Sequence, residues 1–177
     1  MGPCHSRLSA LAIAVTVTGC ANLNSGDEDY YGTFPVGTRL HLLKPLTVRP
    51  GQARVFIQNG KVTGARNEYA VFCDFEVCAL SEETQVIAAD DFLITAVRPG
   101  FTEVVMDWRP RWLASSSADY SPAMISRYFY FRLGSDHQPG VMRLACYGGF
   151  DDPPWAYPPR MDEIRDTFSG IADFRLP

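Results

Sequence analysis

The side chains of this sequence that could carry chemistry are its cysteines, histidines, serines and paired carboxylates, and their spacing assembles none of the usual sites. The five cysteines are Cys4, Cys20, Cys73, Cys78 and Cys146, and the three histidines are His5, His41 and His137. A zinc site uses His or Cys at short, regular spacing, and neither His41 nor His137 has such a partner. His137 and Cys146 are the nearest approach to a Cys–His nucleophile pair, but a thiol turned towards an apolar core is a poor nucleophile. No serine sits in a Gly-x-Ser-x-Gly turn, and Ser115, Ser116 and Ser117 read as a loop tip. Asp90-Asp91 and Asp151-Asp152 lack the alternating oxygen spacing of a calcium loop and read as solvated turn acids. We therefore expect no catalytic residue, no metal site and no cofactor.

Cys20 is the cysteine whose neighbours specify a reaction. Arg7 and the free amino group begin the chain with positive charge, and residues 8–17 are apolar except for Ser9 and Thr16. That run is far shorter than the roughly 18–20 residues a membrane span needs, and it has the layout of a signal peptide. It ends in Val17-Thr18-Gly19-Cys20. This tetrapeptide resembles the lipobox of bacterial lipoproteins, an aliphatic residue and two small residues before a cysteine. The resemblance implies that the Cys20 thiol receives a diacylglycerol and that the chain is cut between Gly19 and Cys20. Each buried CH₂ is worth about 0.8 kcal/mol, and two or more acyl chains anchor firmly where one does not. The partner so implied is the membrane, held through lipid on Cys20. Ala21 follows where an Asp tends to retain enterobacterial lipoproteins at the inner membrane. The expected address is therefore the outer membrane, facing the periplasm.

Three parts follow: a signal peptide (1–19), a lipidated cysteine with a flexible tether (20–36), and one domain (37–177). Residues 21–31 are polar and acidic with no hydrophobic period, so they cannot bury enough surface to order themselves. The whole chain carries a net charge of −4, and removing the signal takes away one arginine and no acid. A mildly acidic domain has no electrostatic footprint for nucleic acid. Lys44 and Lys61 are the sole lysines, so the positive charge of the domain is mainly arginine.

The elements of the domain read as mainly β. Pro and Gly punctuate short segments rich in Val, Ile, Phe and Tyr. Candidate strands are 39–43, 53–58, 61–64, 69–80, 84–88, 92–98, 102–108, 126–133 and 141–147. Asn59-Gly60 is a hairpin signal because both residues tolerate positive φ, and Pro99-Gly100 reads as a turn. Met161, Ile164 and Phe168 form one apolar stripe of a short helix with acids in its first turn, stopped at Gly170. Residues 171–176 form a last strand. The predicted fold is an antiparallel sandwich or barrel-like domain with one short C-terminal helix. Within 69–80, Val71, Cys73, Phe75 and Val77 share a face, and Phe72, Asp74, Glu76 and Cys78 share the other, wetter one. Met142, Leu144 and Cys146 share a face in the strand over 141–147. Cys73 and Cys146 are then the expected disulfide, permitted by the oxidising periplasm, with Cys78 left over.

Two loops concentrate aromatic rings. Trp108-Arg109-Pro110-Arg111-Trp112 alternates rings with cations, and Trp155-Ala156-Tyr157 lies between two proline pairs. Exposed rings on rigid loops suit a sugar face, a peptide or a protein partner, but the usual burial of such residues favours rings folded onto the β core. Residues 69–76, then Met142-Arg143-Leu144-Ala145-Cys146, the proline-rich stretch and the Glu-Ile-Arg helix together resemble a group of small, uncharacterised lipoproteins of Gram-negative bacteria. That resemblance implies an envelope lipoprotein and transfers no activity. The function expected is a non-enzymatic interaction or assembly module of the cell envelope, with an envelope protein or glycan as partner. The alternative is an exported small-ligand carrier, or a small enzyme with an unrecognised site.

The cysteine reading carries its own test. Cys20→Ser should abolish lipidation and processing at this site, visible as loss of a clickable fatty-acid label from the protein on a gel. Label retained on the Ser variant would remove the lipoprotein assignment.

Overall fold

The computed structural model describes residues 32–103 and 124–177. Among the described residues ten strands and one helix follow in order: β1 (Arg39–Leu42), β2 (Leu46–Val48), β3 (Arg54–Gln58), β4 (Lys61–Thr63), β5 (Phe72–Val77), β6 (Gln85–Ile87), β7 (Asp91–Glu103), β8 (Ile125–Gly134), β9 (Val141–Tyr147), α1 (Met161–Thr167) and β10 (Ala172–Arg175). Eight strands form one antiparallel sheet in the order β10-β1-β7-β8-β9-β5-β3-β4, and β2 pairs with β6 in a separate ribbon. The large sheet curls into a half-barrel. The predicted fold class is the observed one.

The curl encloses the core. Leu40 and Leu42 of β1, Phe92 and Ile94 of β7, Phe129 and Phe131 of β8, Leu144 of β9, Phe75 of β5 and Ile57 of β3 all fall in one buried cluster. The β2–β6 ribbon adds Leu46, Val48 and Ile87. Helix α1 has seven residues, too few to be stable alone. It is held by Ile164 and by Phe168, which meets Phe75 edge-on at 5.9 Å. Glu163 accepts the backbone N–H of Arg160 at 2.7 Å, and Gly170 takes positive φ just past the end. Asn59 (φ 51°) and Gly60 (φ 69°) make the tight turn between β3 and β4. The Gly60 N–H donates to Thr167 O at the end of α1, and a Cβ there would lie 2.7 Å from Ser169 O. The turn glycine therefore also serves as a docking point for the helix.

Three features depart from the sequence reading. First, no turn at Pro99-Gly100 ends the candidate strand 92–98; of the candidate strand 102–108, residues 104–108 lie outside the described residues. β7 runs unbroken through Pro99 and Gly100, pairing Pro99 with Phe129 and Gly100 with Tyr128. A Cβ on Gly100 would lie 2.5 Å from the Tyr128 ring, so this glycine is a seat for an aromatic ring and not a bend. Second, two bulges reverse the inside-out alternation. Thr95 has no partner in the β7–β8 register, so Phe92 and Ile94 face inward before it and Val97 after it. Met142 is likewise skipped between β9 and β5, which exposes it and turns Val141 into the core instead. Third, Phe34 falls within the predicted tether yet is fully buried, stacked on Phe174 at 4.2 Å.

Cys73 and Cys146 sit directly opposite each other in β5 and β9 and form a disulfide, with Cα atoms 4.1 Å apart. That separation is typical of the narrow, non-hydrogen-bonded pairs of an antiparallel ladder. The bridge closes a loop with a sequence separation of 73 residues. By the chain-entropy argument, Cys73→Ala with Cys146→Ala should lower unfolding stability by about 4 kcal/mol. Urea melts of oxidised wild type and the double variant measure this, and peptide mapping without reduction should recover the 73–146 crosslink.

Candidate functional site

The proline-rich segment 151–160 carries two large exposed aromatic rings, Trp155 and Tyr157. The backbone N–H groups of Trp155 and Ala156 both donate to Asp152 O, closing a turn. Ala156 is buried inward while Trp155 (72% exposed) and Tyr157 (53% exposed) project outward, and Pro158 and Pro159 are buried behind them. The proline pairs limit backbone freedom on both sides. Tyr69, at 62% exposed, stands on the facing segment. Tyr69, Trp155 and Tyr157 line a groove of about 110 Å³ floored by Ala70, Val71 and Gly149.

Two glycines create this surface. A Cβ on Gly148 would lie 2.1 Å from Tyr157 O, and one on Gly149 would lie 2.4 Å from Tyr69 O. Without side chains at 148 and 149, the segments bearing the three rings close directly onto the chain just past the end of β9. Hydrogen bonds hold them there. Arg127 Nε donates to Ala156 O at 3.0 Å, Phe150 N–H to Glu68 O at 2.9 Å, and Ser126 Oγ to Gly148 O at 2.6 Å. Trp155 and Tyr157 were singled out in the sequence, and the structure places them together on the surface. Tyr69 was not, because nothing in its own neighbourhood signals the approach; the Gly-Gly pair at 148–149 is the signal that could have. Trp108, Arg109, Arg111 and Trp112 lie outside the described residues, as do Gly19 and Cys20.

Beside the groove, the outer face of the sheet holds a polar cluster that the sequence read as simply wet. Phe72 stacks on Tyr147 at 4.7 Å, and Tyr128 packs against both Tyr130 and Tyr147. Arg66 lies 4.3 Å over the Phe56 ring and Arg143 lies 4.6 Å over Tyr130. Glu76 accepts from Arg143 and lies 3.3 Å from Arg54. Asp74, beneath these side chains, is only 1% exposed. Its nearest cation, Arg54, is 3.8 Å away, and neither carboxyl oxygen accepts a hydrogen bond. Burial pushes this carboxyl up to about 6, the charge of Glu76 adds to the rise, and Arg54, Arg143 and Arg66 oppose it. Burial likewise raises the Tyr147 phenol.

The remaining sequence candidates have structural duties. His137 Nδ1 lies 3.3 Å from Asp90 Oδ1, but the Ser135 hydroxyl donates to Asp90 Oδ2 at 2.6 Å instead of to the histidine. Ser135 Oγ also accepts the backbone N–H of His137 and of Gln138. Asp90 thereby ties the turn before β7 to the turn after β8. Desolvation works against its ionised form, yet the bonds from Ser135, Gln138, the Asp91 N–H and His137 hold it down to about 2. His41 pairs with Asp91 across β1 and β7 at 2.8 Å. Cys78 is free and exposed. Among the described residues, no three His, Cys, Asp or Glu side chains converge as a metal site would require. Comparison of the chain with protein-family models, with curated proteins and with solved structures finds no match.

The Asp74 shift has a signed consequence for stability. The unfolded chain loses this proton near 3.8, the folded protein near 6. The contribution is therefore full below about pH 4 and is lost as pH rises through 6. Asp74→Asn should be more stable than wild type at pH 7 by about 1–3 kcal/mol, and the difference should vanish by pH 4. Denaturant melts of both proteins across that range test it. A gap that does not change with pH would show that the carboxyl is not perturbed.

Proposed function

We propose that this protein is a lipid-anchored lipoprotein of the bacterial cell envelope, held at the outer membrane through Cys20, and that its β domain is a non-enzymatic interaction module facing the periplasm. The observation that carries the binding role is the juxtaposition of Tyr69, Trp155 and Tyr157, all exposed, around one groove. Aromatic rings on a proline-locked loop supply contact area with little ordering cost, which is why such residues dominate binding hot spots. Three rings, each more than half exposed on one patch, offer apolar surface to a second molecule. The partner that fits is a protein or glycan of the envelope able to lay an apolar face across the three rings. The lipid anchor would confine the groove to the membrane surface, where a tether over residues 21–31 sets its reach.

Trp155→Ala and Tyr157→Ala provide the test. Both side chains are exposed, so each variant should melt within about 0.5 kcal/mol of wild type. Recovery of a partner by crosslinking in intact envelopes, or co-sedimentation with isolated cell-wall sacculi, should fall at least tenfold in the double variant. Unchanged recovery in both assays would sink the role of this groove. Large melting losses would show instead that the rings are core.

A further inference from the structure

β10 ends the large sheet, and its outer edge is free among the described residues. Its hydrogen-bonding phase follows from one contact. The Leu43 N–H donates to Ile171 O at 2.9 Å, which continues the β1–β10 register. In an antiparallel ladder the bonding direction alternates. Residues 171, 173 and 175 therefore aim their backbone groups at β1, and residues 172, 174 and 176 aim theirs outward. The Ala172 N–H is taken by Phe168 O. The Ala172 C=O, both groups of Phe174 and the Leu176 N–H face the open edge. A hollow of about 510 Å³ runs along this side, lined by all of β10 together with Arg165, Asp166 and Ser169. No residue of β1 lines it, so it lies on the side away from the sheet.

The charges beside this edge are unbalanced. Arg175 stands opposite Arg39 in the β1–β10 ladder, a like-charge pair that is destabilising when directly opposed. Asp173 stands opposite His41, whose own partner is Asp91. Arg39, Asp173 and Arg175 make no ion pair among the described residues, and Arg175 and Asp173 point to the same exposed face. A row of backbone groups without strand partners is a template for another strand, and the charges beside it restrict the registers such a strand could take.

We propose that the edge of β10 is a homodimer interface, in which a second copy adds its own β10 antiparallel about a two-fold axis at Phe174. The backbone phase and the charges select this register. A two-fold axis requires self-complementary pairing, and the outward-facing residues must meet one another. Pairing Ala172 with Phe174 would set Asp173 against Asp173. Pairing Phe174 with Leu176 would set Arg175 against Arg175. Pairing Phe174 with Phe174 sets Asp173 against Arg175 twice and supplies the counter-ion that Arg175 lacks. In that register Phe174 exchanges two backbone hydrogen bonds with its copy. The Leu176 N–H reaches the Ala172 C=O on each side, and the exposed Leu176 side chain covers Ala172.

Full-length lipidated protein in detergent micelles should sediment as a dimer. Asp173→Arg alone, or Arg175→Asp alone, should weaken the dimer about tenfold or more by placing like charges opposite. The double variant D173R/R175D restores both ion pairs in swapped order and should dimerise like wild type. In a Cys78→Ser background, D173C/R175C should form an intermolecular disulfide, because those positions would face each other as a narrow pair of the kind Cys73 and Cys146 occupy. A monomeric wild type overturns the proposal. So does a dimer that ignores the single charge reversals, or one that fails to crosslink at 173 and 175.

Discussion

The ladder between β5 and β9 joins two parts of the sheet that share no other strand pairing among the described residues. On one side stand β3, β4 and β5; on the other stand β10, β1 and the β7-β8-β9 meander. The meander forms from neighbours in sequence, but β5 reaches β9 only across an intervening stretch of chain that includes β6, β7 and β8. Bringing them together costs loop-closure entropy before any contact repays it. The Cys73–Cys146 bridge lies within this seam and removes that cost from the folded state's competitor. The curl, the core beneath it and the seat of α1 on Phe75 all follow once this seam is closed.

The seam also places two different chemistries on the two sides of β5. Inward, Cys73, Phe75 and Val77 join the core. Outward, Phe72, Asp74 and Glu76 meet aromatic and arginine side chains from β3, β8 and β9. Long side chains with apolar stems cover what a strand alternation would leave to solvent. Asp74 is buried by its neighbours' reach and not by its own position in the pattern. A carboxylate so placed is destabilising in its charged form, and the three arginines around it only partly offset the loss of solvation.

The groove depends on the same seam one residue further on. Tyr147 ends β9 within the aromatic layer, and Gly148 and Gly149 follow at once. Their missing side chains admit the Tyr69 and Tyr157 backbones, so the surface that presents the rings is an extension of the β5–β9 pairing. Proline on the loop limits its backbone, hydrogen bonds from Arg127 and Ser126 hold it in place, and the glycines beneath it permit the close approach. A loop so held has little conformational freedom to lose.

Much of this was legible in the residues. Alternation revealed most strands, the Asn59-Gly60 turn and the stripe of Met161, Ile164 and Phe168 were read correctly, and shared parity was enough to pair Cys73 with Cys146. These signals are local: each depends on a period or a backbone preference contained within a few residues. The tertiary structure decided whatever depended on a distant neighbour. Gly100 looks like a turn until Tyr128 is laid across it, and Met142 looks inward until β5 shows that it has no partner. Phe34 looks like tether until Phe174 stacks on it. Tyr69 and Trp155 lie far apart in sequence and share a groove only because two glycines just past β9 let their segments close onto the same stretch of backbone. Alternation records which side of a strand a residue takes. What waits on that side is set by strand order, bulges and close approach, and those belong to the folded chain as a whole.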